Sequence, residues 1–138
     1  MHPSVKYILP VLLLFALTGI CSSQNFIGMN PDQIAAVLKQ TNPDFKIDKN
    51  AVNHTYKYLK YVDKISEQTI LFFLTEKNIC TYVRWMSDYS NINDMVDMLN
   101  KKYKKSGTNT WSFNDKGQNF SVKLEEEEWY FTVTFRKN

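Results

Sequence analysis

Residues 68–86 of the chain, QTILFFLTEKNICTYVRWM, have the pattern of two β-strands joined by a short connection. Gln68 to Leu74 is apolar on both faces at its centre, which is typical of a strand inside a sheet. The following segment, Ile79 to Met86, alternates with period two after a turn of hairpin length. This alternation places Ile79, Thr81, Val83 and Trp85 on one face and Cys80, Tyr82, Arg84 and Met86 on the other. The stretch predicts an antiparallel hairpin.

Further strands are predicted on both sides of this hairpin. Alternating or aromatic-rich segments occur at Tyr56–Val62, Thr110–Phe113, Phe120–Leu124 and Trp129–Phe135. Asn114 to Gly117 has the composition of a hairpin turn, in which Gly117 can take positive φ. Phe45 and Ile47, in a polar connection, are predicted to form a short strand or to fill the core from a loop.

Two helices are predicted. The first follows Asn30 as N-cap, with Pro31 at the first position and Gln33 completing a capping box, and it should end near Gln40. The second is predicted from Asn91 to Tyr103, with Gly107 as a residue just beyond its C-terminal end.

The predicted element order is α-β-β-β-α-β-β-β. We therefore expect an α+β fold, in which an antiparallel sheet of about six strands carries both helices on one face. Aromatic residues make up 14% of the 138 residues, against 4 Gly and 4 Pro, which excludes a disordered or low-complexity chain. Residues 24–138 are expected to form a single domain.

The N-terminal residues 1–23 have the three parts of a secretory signal peptide. His2 and Lys6 form a weak positive region, an apolar run follows, and Thr18–Ser23 is small and polar enough for cleavage after Ser23. Two alternatives are an uncleaved anchor and lipidation at Cys21, which follows a Leu-Thr-Gly-Ile box. In every case the domain is expected to be exported to the periplasm, the cell envelope or the medium. For the cleaved domain, membrane association is expected only if Cys21 is lipidated.

The segment Gly28-Met29-Asn30-Pro31-Asp32-Gln33-Ile34, just after the signal peptide, resembles the opening of a group of small exported bacterial domains. The group comprises domains with the β-lactamase-inhibitor-protein fold and the small outer-membrane-assembly lipoproteins. Those domains have two successive helices before their strands, whereas three strands are predicted here between the helices. The resemblance implies a role in protein binding or envelope assembly without catalysis, and it identifies no functional residue.

The sequence gives little support for a metal site, a cofactor or nucleic-acid binding. The chain has 2 Cys and 2 His, and residues 24–138 retain only Cys80 and His54, too few for a Cys/His zinc site. Cys80 is expected to be a buried, inert thiol, with a nucleophile–base pair with His54 as the alternative. The basic run Lys101–Lys105 is assigned to the end of the second helix, because a formal charge of +3 is low for a nucleic-acid binder. We expect no cofactor, metal or nucleic-acid partner.

Carboxylates offer a second route to catalysis. Glu125–Glu128 is expected to be a solvated hairpin tip. A small hydrolase would have to take its catalytic carboxylates from Asp63, Glu67, Asp88 or this cluster. No phosphate-binding loop or nucleophile elbow is present in the sequence. We therefore predict that the chain is not an enzyme.

The aromatic residues on the strands give the main functional prediction. Two helices can cover only one face of the sheet, and Trp129, Phe131, Val133 and Phe135 are expected to face them. The second set, Tyr58, Tyr82, Tyr130 and Trp111, is expected to line the uncovered face. Tyr and Trp give contact area at low entropic cost, so this face is predicted to bind a protein or envelope ligand. The alternatives are ordinary cross-strand packing and a small-ligand carrier with a pocket between sheet and helices.

Overall fold

The computed structural model describes residues 25–50 and 55–138. The predicted signal peptide, the lipidation site at Cys21 and the alternative role of His54 lie outside the described residues. Among the residues described, no helix is both long enough and apolar enough to cross a membrane.

Both helices are found where the pattern predicts them. Helix α1 spans Pro31–Thr41, and its capping box is complete: the Asn30 side chain accepts from the Gln33 amide, and the Asn30 amide donates to Gln33 Oε1, both at 2.9 Å. Helix α2 spans Ile92–Lys102 and follows a single 3₁₀ turn, Tyr89–Asn91. The second helix therefore begins one residue later and ends one residue earlier than predicted.

The strands form one antiparallel sheet, which confirms the α+β class. Their bounds are β1 Lys46–Ile47, β2 Tyr58–Asp63, β3 Gln68–Leu74, β4 Cys80–Ser87, β5 Lys104–Gly107, β6 Thr110–Asp115, β7 Gln118–Glu126 and β8 Phe131–Lys137. Neighbours in the sheet follow the order β1-β2-β3-β4-β8-β7-β6-β5. The expected hairpin turn between β6 and β7 is present, with Gly117 at φ 79°.

The prediction of about six strands is wrong, because residues 25–50 and 55–138 already form a sheet of eight. Its edges are β5, which the pattern does not define, and β1, for which a short strand was one of two predicted options. Both options hold in part, because Ile47 lies in β1 and Phe45 is buried in the core. Strand β1 has two residues, and every residue of β5 is exposed, so neither shows apolar alternation. Lys104 and Lys105 therefore belong to an edge strand and not to the end of α2, and Gly107 ends that strand. Lysines on an edge strand oppose pairing with another chain.

The chain order divides the fold into two similar halves. Each half is a helix followed by four antiparallel strands, α1 with β1–β4 and α2 with β5–β8. The last strands of the halves, β4 and β8, pair with each other from Tyr82↔Arg136 to Ser87↔Phe131. The strand order is what a twofold axis through this seam, perpendicular to the sheet, would produce.

The core consists of two clusters on one face of the sheet. Ile34 and Leu38 of α1 pack over β2–β4, and Met95 and Leu99 of α2 pack over β6–β8. Trp85 and Phe135, on the two central strands, are half-buried and pack against both clusters. Phe131, Val133 and Phe135 face the helices as expected.

A β-bulge at the start of β4 changes which side chains share a face. Phe73 pairs with Tyr82 whereas Leu74 pairs with Cys80, so Thr81 is an extra residue. The simple alternation predicted for Ile79–Met86 is therefore wrong at Cys80, which is buried with Val83 in the core. The backbone also ties this point to the N-terminal segment, because the Gly28 amide donates to the Cys80 carbonyl at 2.8 Å.

Candidate functional site

The sheet surface opposite the helices is called the open face here. Its positions follow from the strand registers, because they alternate with the core residues of each strand. From β2 through β3, β4, β8 and β7 to β6 they are Tyr58, Lys60, Val62; Thr69, Leu71, Phe73; Tyr82, Arg84, Met86; Thr132, Thr134, Arg136; Asn119, Ser121, Lys123, Glu125; and Thr110, Ser112, Asn114.

A row of three aromatic side chains and one arginine runs across four neighbouring strands of the open face. Tyr58, Phe73, Tyr82 and Arg136 are register partners on β2, β3, β4 and β8, and they are called the aromatic row. The Phe73 and Tyr82 rings stack with centroids 4.1 Å apart and an interplanar angle of 11°. The Arg136 guanidinium lies 4.9 Å from the Tyr82 centroid. Because β4 lies between β3 and β8, the Tyr82 ring is held between Phe73 and Arg136.

The open face carries a marked excess of positive charge. Lys60, Arg84, Arg136 and Lys123 lie on it, and Glu125 is the one carboxylate among the open-face positions defined above. Lys60 pairs with Asp48 at 3.4 Å and Lys123 with Glu125 at 2.8 Å. Neither arginine forms a salt bridge with any residue that the structure describes.

Tyr130 and Trp129 lie at one end of the open face, in the connection between β7 and β8. Tyr130 is 41% exposed and Trp129 is 77% exposed, and both line a shallow groove beside Thr69 and Met86 of the open face. The expectation that Trp129 faces the helices is therefore wrong, because β8 begins only at Phe131. The connection is held by the Tyr89 hydroxyl, which donates to the Glu127 carbonyl.

Trp111 does not belong to the open face. It is 1% exposed, packs in the cluster beneath α2, and donates from Nε1 to Asn100 Oδ1 at 2.9 Å. Its register partner is Val122, a core residue, so Trp111 must point toward the helices. Of the four predicted binding residues, the structure brings Tyr58 and Tyr82 together, puts Tyr130 at the end of the same face, and separates Trp111 from them.

The carboxylates considered for hydrolysis mostly support turns. Asp63 accepts from the Ser66 hydroxyl at 2.6 Å and from the Ile65 and Ser66 amides, and the Ser66 hydroxyl bond is the main cause of its lowered pKa. Asp88 caps the 3₁₀ turn by accepting from the Ser90 amide at 2.9 Å. Hydrogen bonding with the Ser90 side chain first, and with this amide second, lowers the pKa of Asp88. A lowered pKa keeps a carboxyl ionised and unsuited to general-acid work at neutral pH. The prediction that the chain is not an enzyme stays a prediction.

A cavity of about 170 Å³ opens between the helices, above the central strands. Its apolar lining includes Val83, Trp85 and Phe135, and its mouth carries Asn25, Asn42 and Lys102 among other residues. Burial raises the pKa of Tyr103, which also lines the cavity, so its phenol stays neutral at physiological pH. The cavity lies between the sheet and the helices, where a small-ligand carrier, one of the alternative functions, requires a pocket.

Phe73, Arg84 and Arg136, on which the candidate site depends, were not predicted as site residues. Phe73 lies in a run that is apolar on both faces, so its neighbours do not reveal its direction. Arg136 meets Tyr82 only through the pairing of β4 with β8, which joins two distant parts of the chain. The sequence does contain one signal for Arg84: it lies two residues from Tyr82 in an alternating strand, so both side chains are expected on the same face.

Within the described residues, no group of three or more His, Cys, Asp or Glu side chains is arranged to hold a metal ion. Comparison of the chain with protein-family models, with curated proteins and with solved structures finds no match.

Proposed function

We propose that this chain is an exported, non-enzymatic binding domain that captures a protein or other cell-envelope ligand on the open face. The observation that carries the proposal is the aromatic row, which lies on the sheet surface that neither helix covers. Export rests on the signal-peptide pattern of residues 1–23.

The composition of the open face supports binding more than mere packing. Tyr and Arg are enriched among residues that dominate interface energies, and Tyr58, Tyr82 and Arg136 form one contiguous group. The Tyr82 ring is fixed on both sides, by Phe73 and by Arg136. A side chain that is already immobilised loses little conformational entropy when a partner binds. The row is thus preorganised for contact with a ligand.

Site-specific cross-linking tests which surface meets the partner. A photoreactive phenylalanine analogue is introduced at Tyr58 or Tyr82, and as matched controls at Lys39 or Lys101, which are exposed on the helices. Irradiation of the cells that produce the protein is expected to give adducts from the open-face positions and not from the controls. Adducts that form only from the helix positions would contradict the assignment.

Removing aromatic side chains should abolish the capture. With the photoreactive residue at Thr134, the Tyr82→Ala/Tyr130→Ala double variant is expected to lose the adduct. It loses the ring held between Phe73 and Arg136, and it loses the contact area of Tyr130 at the other end of the open face. Far-ultraviolet circular dichroism is the control for folding. A folded double variant that still forms the adduct in full yield would show that the row is not the binding surface.

A second candidate function is that of a small-ligand carrier, which the cavity between the helices favours. Its volume, about 170 Å³, is close to the roughly 150 Å³ of a dry apolar cavity that admits benzene. The fitting ligand is therefore a single ring or a short aliphatic chain.

Thermal unfolding in toluene-saturated buffer tests this candidate. A ligand that binds only the folded state raises the Tm, so we expect a higher Tm with toluene than without it. Met98→Trp, which puts a large ring at the cavity lining, should remove the shift, whereas Asp97→Trp, at an exposed neighbouring position outside the cavity, should keep it. Equal Tm values with and without toluene in the unaltered protein would reject the carrier function.

A further inference from the structure

We infer that the open face recognises an acidic segment of a partner protein, whose carboxylates are held by Arg84 and Arg136. The inference rests on the proposed function and names the chemistry of the partner. It is carried by the position of these two guanidinium groups beside the aromatic row.

The strand registers gather three cationic residues around one small residue. Thr134 of β8 pairs with Arg84 of β4 on one side and with Lys123 of β7 on the other. Arg136 is the next open-face position along β8, two residues beyond Thr134. Arg84, Arg136 and Lys123 therefore surround Thr134 near the centre of the open face.

The positive charges of Arg84, Arg136 and Lys123 are only partly neutralised by a carboxylate of the protein itself. Lys123 is paired with Glu125 at 2.8 Å, whereas the two arginines form no salt bridge within the described residues. The pKa of Glu125 is lowered mainly by its hydrogen bond with Lys123, and the charges of Arg84 and Arg136 lower it further. The same field that stabilises this carboxylate would stabilise the carboxylates of a ligand.

The aromatic row favours a protein over an anionic polysaccharide. Sugars are commonly held against the open face of an aromatic ring, but the faces of Tyr82 are already occupied by Phe73 and Arg136. What remains accessible is the ring edge with its hydroxyl donor, next to the donors of Arg136. Hydroxyl and guanidinium donors together suit carboxylates, which accept bidentate bonds from arginine.

The test uses a synthetic peptide of alternating glutamate and leucine as the probe. Binding to the isotope-labelled protein is followed by NMR, and the matched peptide carries glutamine in place of glutamate. Arg84→Gln/Arg136→Gln is expected to weaken peptide binding by at least about tenfold, since charge-assisted bonds are lost. Lys101→Gln/Lys105→Gln, which removes the same charge away from the open face, should change it by less than about twofold.

Each outcome decides the inference. Shifts at Arg84, Thr134 and Arg136 with the glutamate peptide alone, weakened by added salt, support it. Equal binding of the glutamine peptide, or equal weakening by the two double variants, overturns it. Preferential binding of a heparin-derived hexasaccharide, used as a second probe, would assign the site to an anionic glycan instead and also overturn it.

The cross-linking experiment separates this failure from failure of the proposed function. If adducts from Tyr58 persist undiminished in Arg84→Gln/Arg136→Gln, the open face binds its partner without acidic recognition. If no adduct forms from any open-face position while the helix positions do form them, the proposed function itself fails.

Discussion

Replacement of Trp111 with alanine is expected to lower the free energy of unfolding by about 3–5 kcal/mol, the usual loss for a large aromatic core residue. Trp111 is 1% exposed and packs among the apolar side chains beneath α2. The substitution leaves a cavity and removes the donor to Asn100 Oδ1. Denaturant unfolding followed by circular dichroism measures the change.

Trp129→Ala is the matched control for this substitution. The same chemical change at a side chain that is 77% exposed should alter the free energy of unfolding by no more than about 0.5 kcal/mol. Two variants of equal stability would mean that Trp111 does not lie in the core, and would reopen its assignment to the open face.

The Cys80 thiol is expected to resist alkylation while the protein is folded. Burial raises its pKa to about 12, and its Sγ lies 3.5 Å from the Tyr82 carbonyl oxygen. An ordinary cysteine has a pKa of about 8.5, so at mildly alkaline pH the reactive thiolate is about a thousandfold scarcer in the folded protein. Iodoacetamide labelling, followed by mass spectrometry of the peptide containing Cys80, measures the rate in buffer and in concentrated guanidinium chloride.

The dependence of the Cys80 labelling rate on pH shows the direction in which the thiol pKa is shifted. Because the folded pKa is raised, the labelling rate should continue to increase with pH beyond the ordinary cysteine range, as long as the fold persists. Thr81→Cys in a Cys80→Ser background supplies the control, since position 81 is the exposed extra residue of the bulge. If Cys80 reacts as fast as this control cysteine, it is not the buried, inert thiol described here.

Local signals were sufficient to predict most of the secondary structure. The capping box of Asn30 and Gln33 and the turn at Gly117 are determined by near neighbours in the chain, and both are present. Strand β3 was predicted with its observed bounds, because a continuous apolar run has clear ends. Edge strand β5 was missed, and β1 was left open between a short strand and a loop, because both are held by backbone pairing, with β6 and β2, and bury no apolar face of their own.

The open face was harder to predict than the elements that build it. Tyr58 and Tyr82 were correctly assigned to it from the alternation of their strands. The same reasoning put Trp111 there, because alternation does not show which of a strand's two sets of side chains faces the helices. The bulge at Thr81 reverses the parity of Cys80, and no local residue pattern marks it. The contact between Tyr82 and Arg136 depends on a strand pairing that forms only in the complete sheet.

The pairing of β8 with both β4 and β7 has a consequence for how the protein is made. Strand β8 follows β1–β7 in the chain and lies in the middle of the sheet, so the two four-strand halves cannot join until residues 131–137 have been synthesised. Contacts between distant parts of the chain form slowly, because the intervening segment must be ordered first. Until then the edges of β4 and β7 that pair with β8 stay unpaired, and the core lacks Phe131, Val133 and Phe135. Any chain shortened before Phe131 would therefore lose the seam that unites its halves.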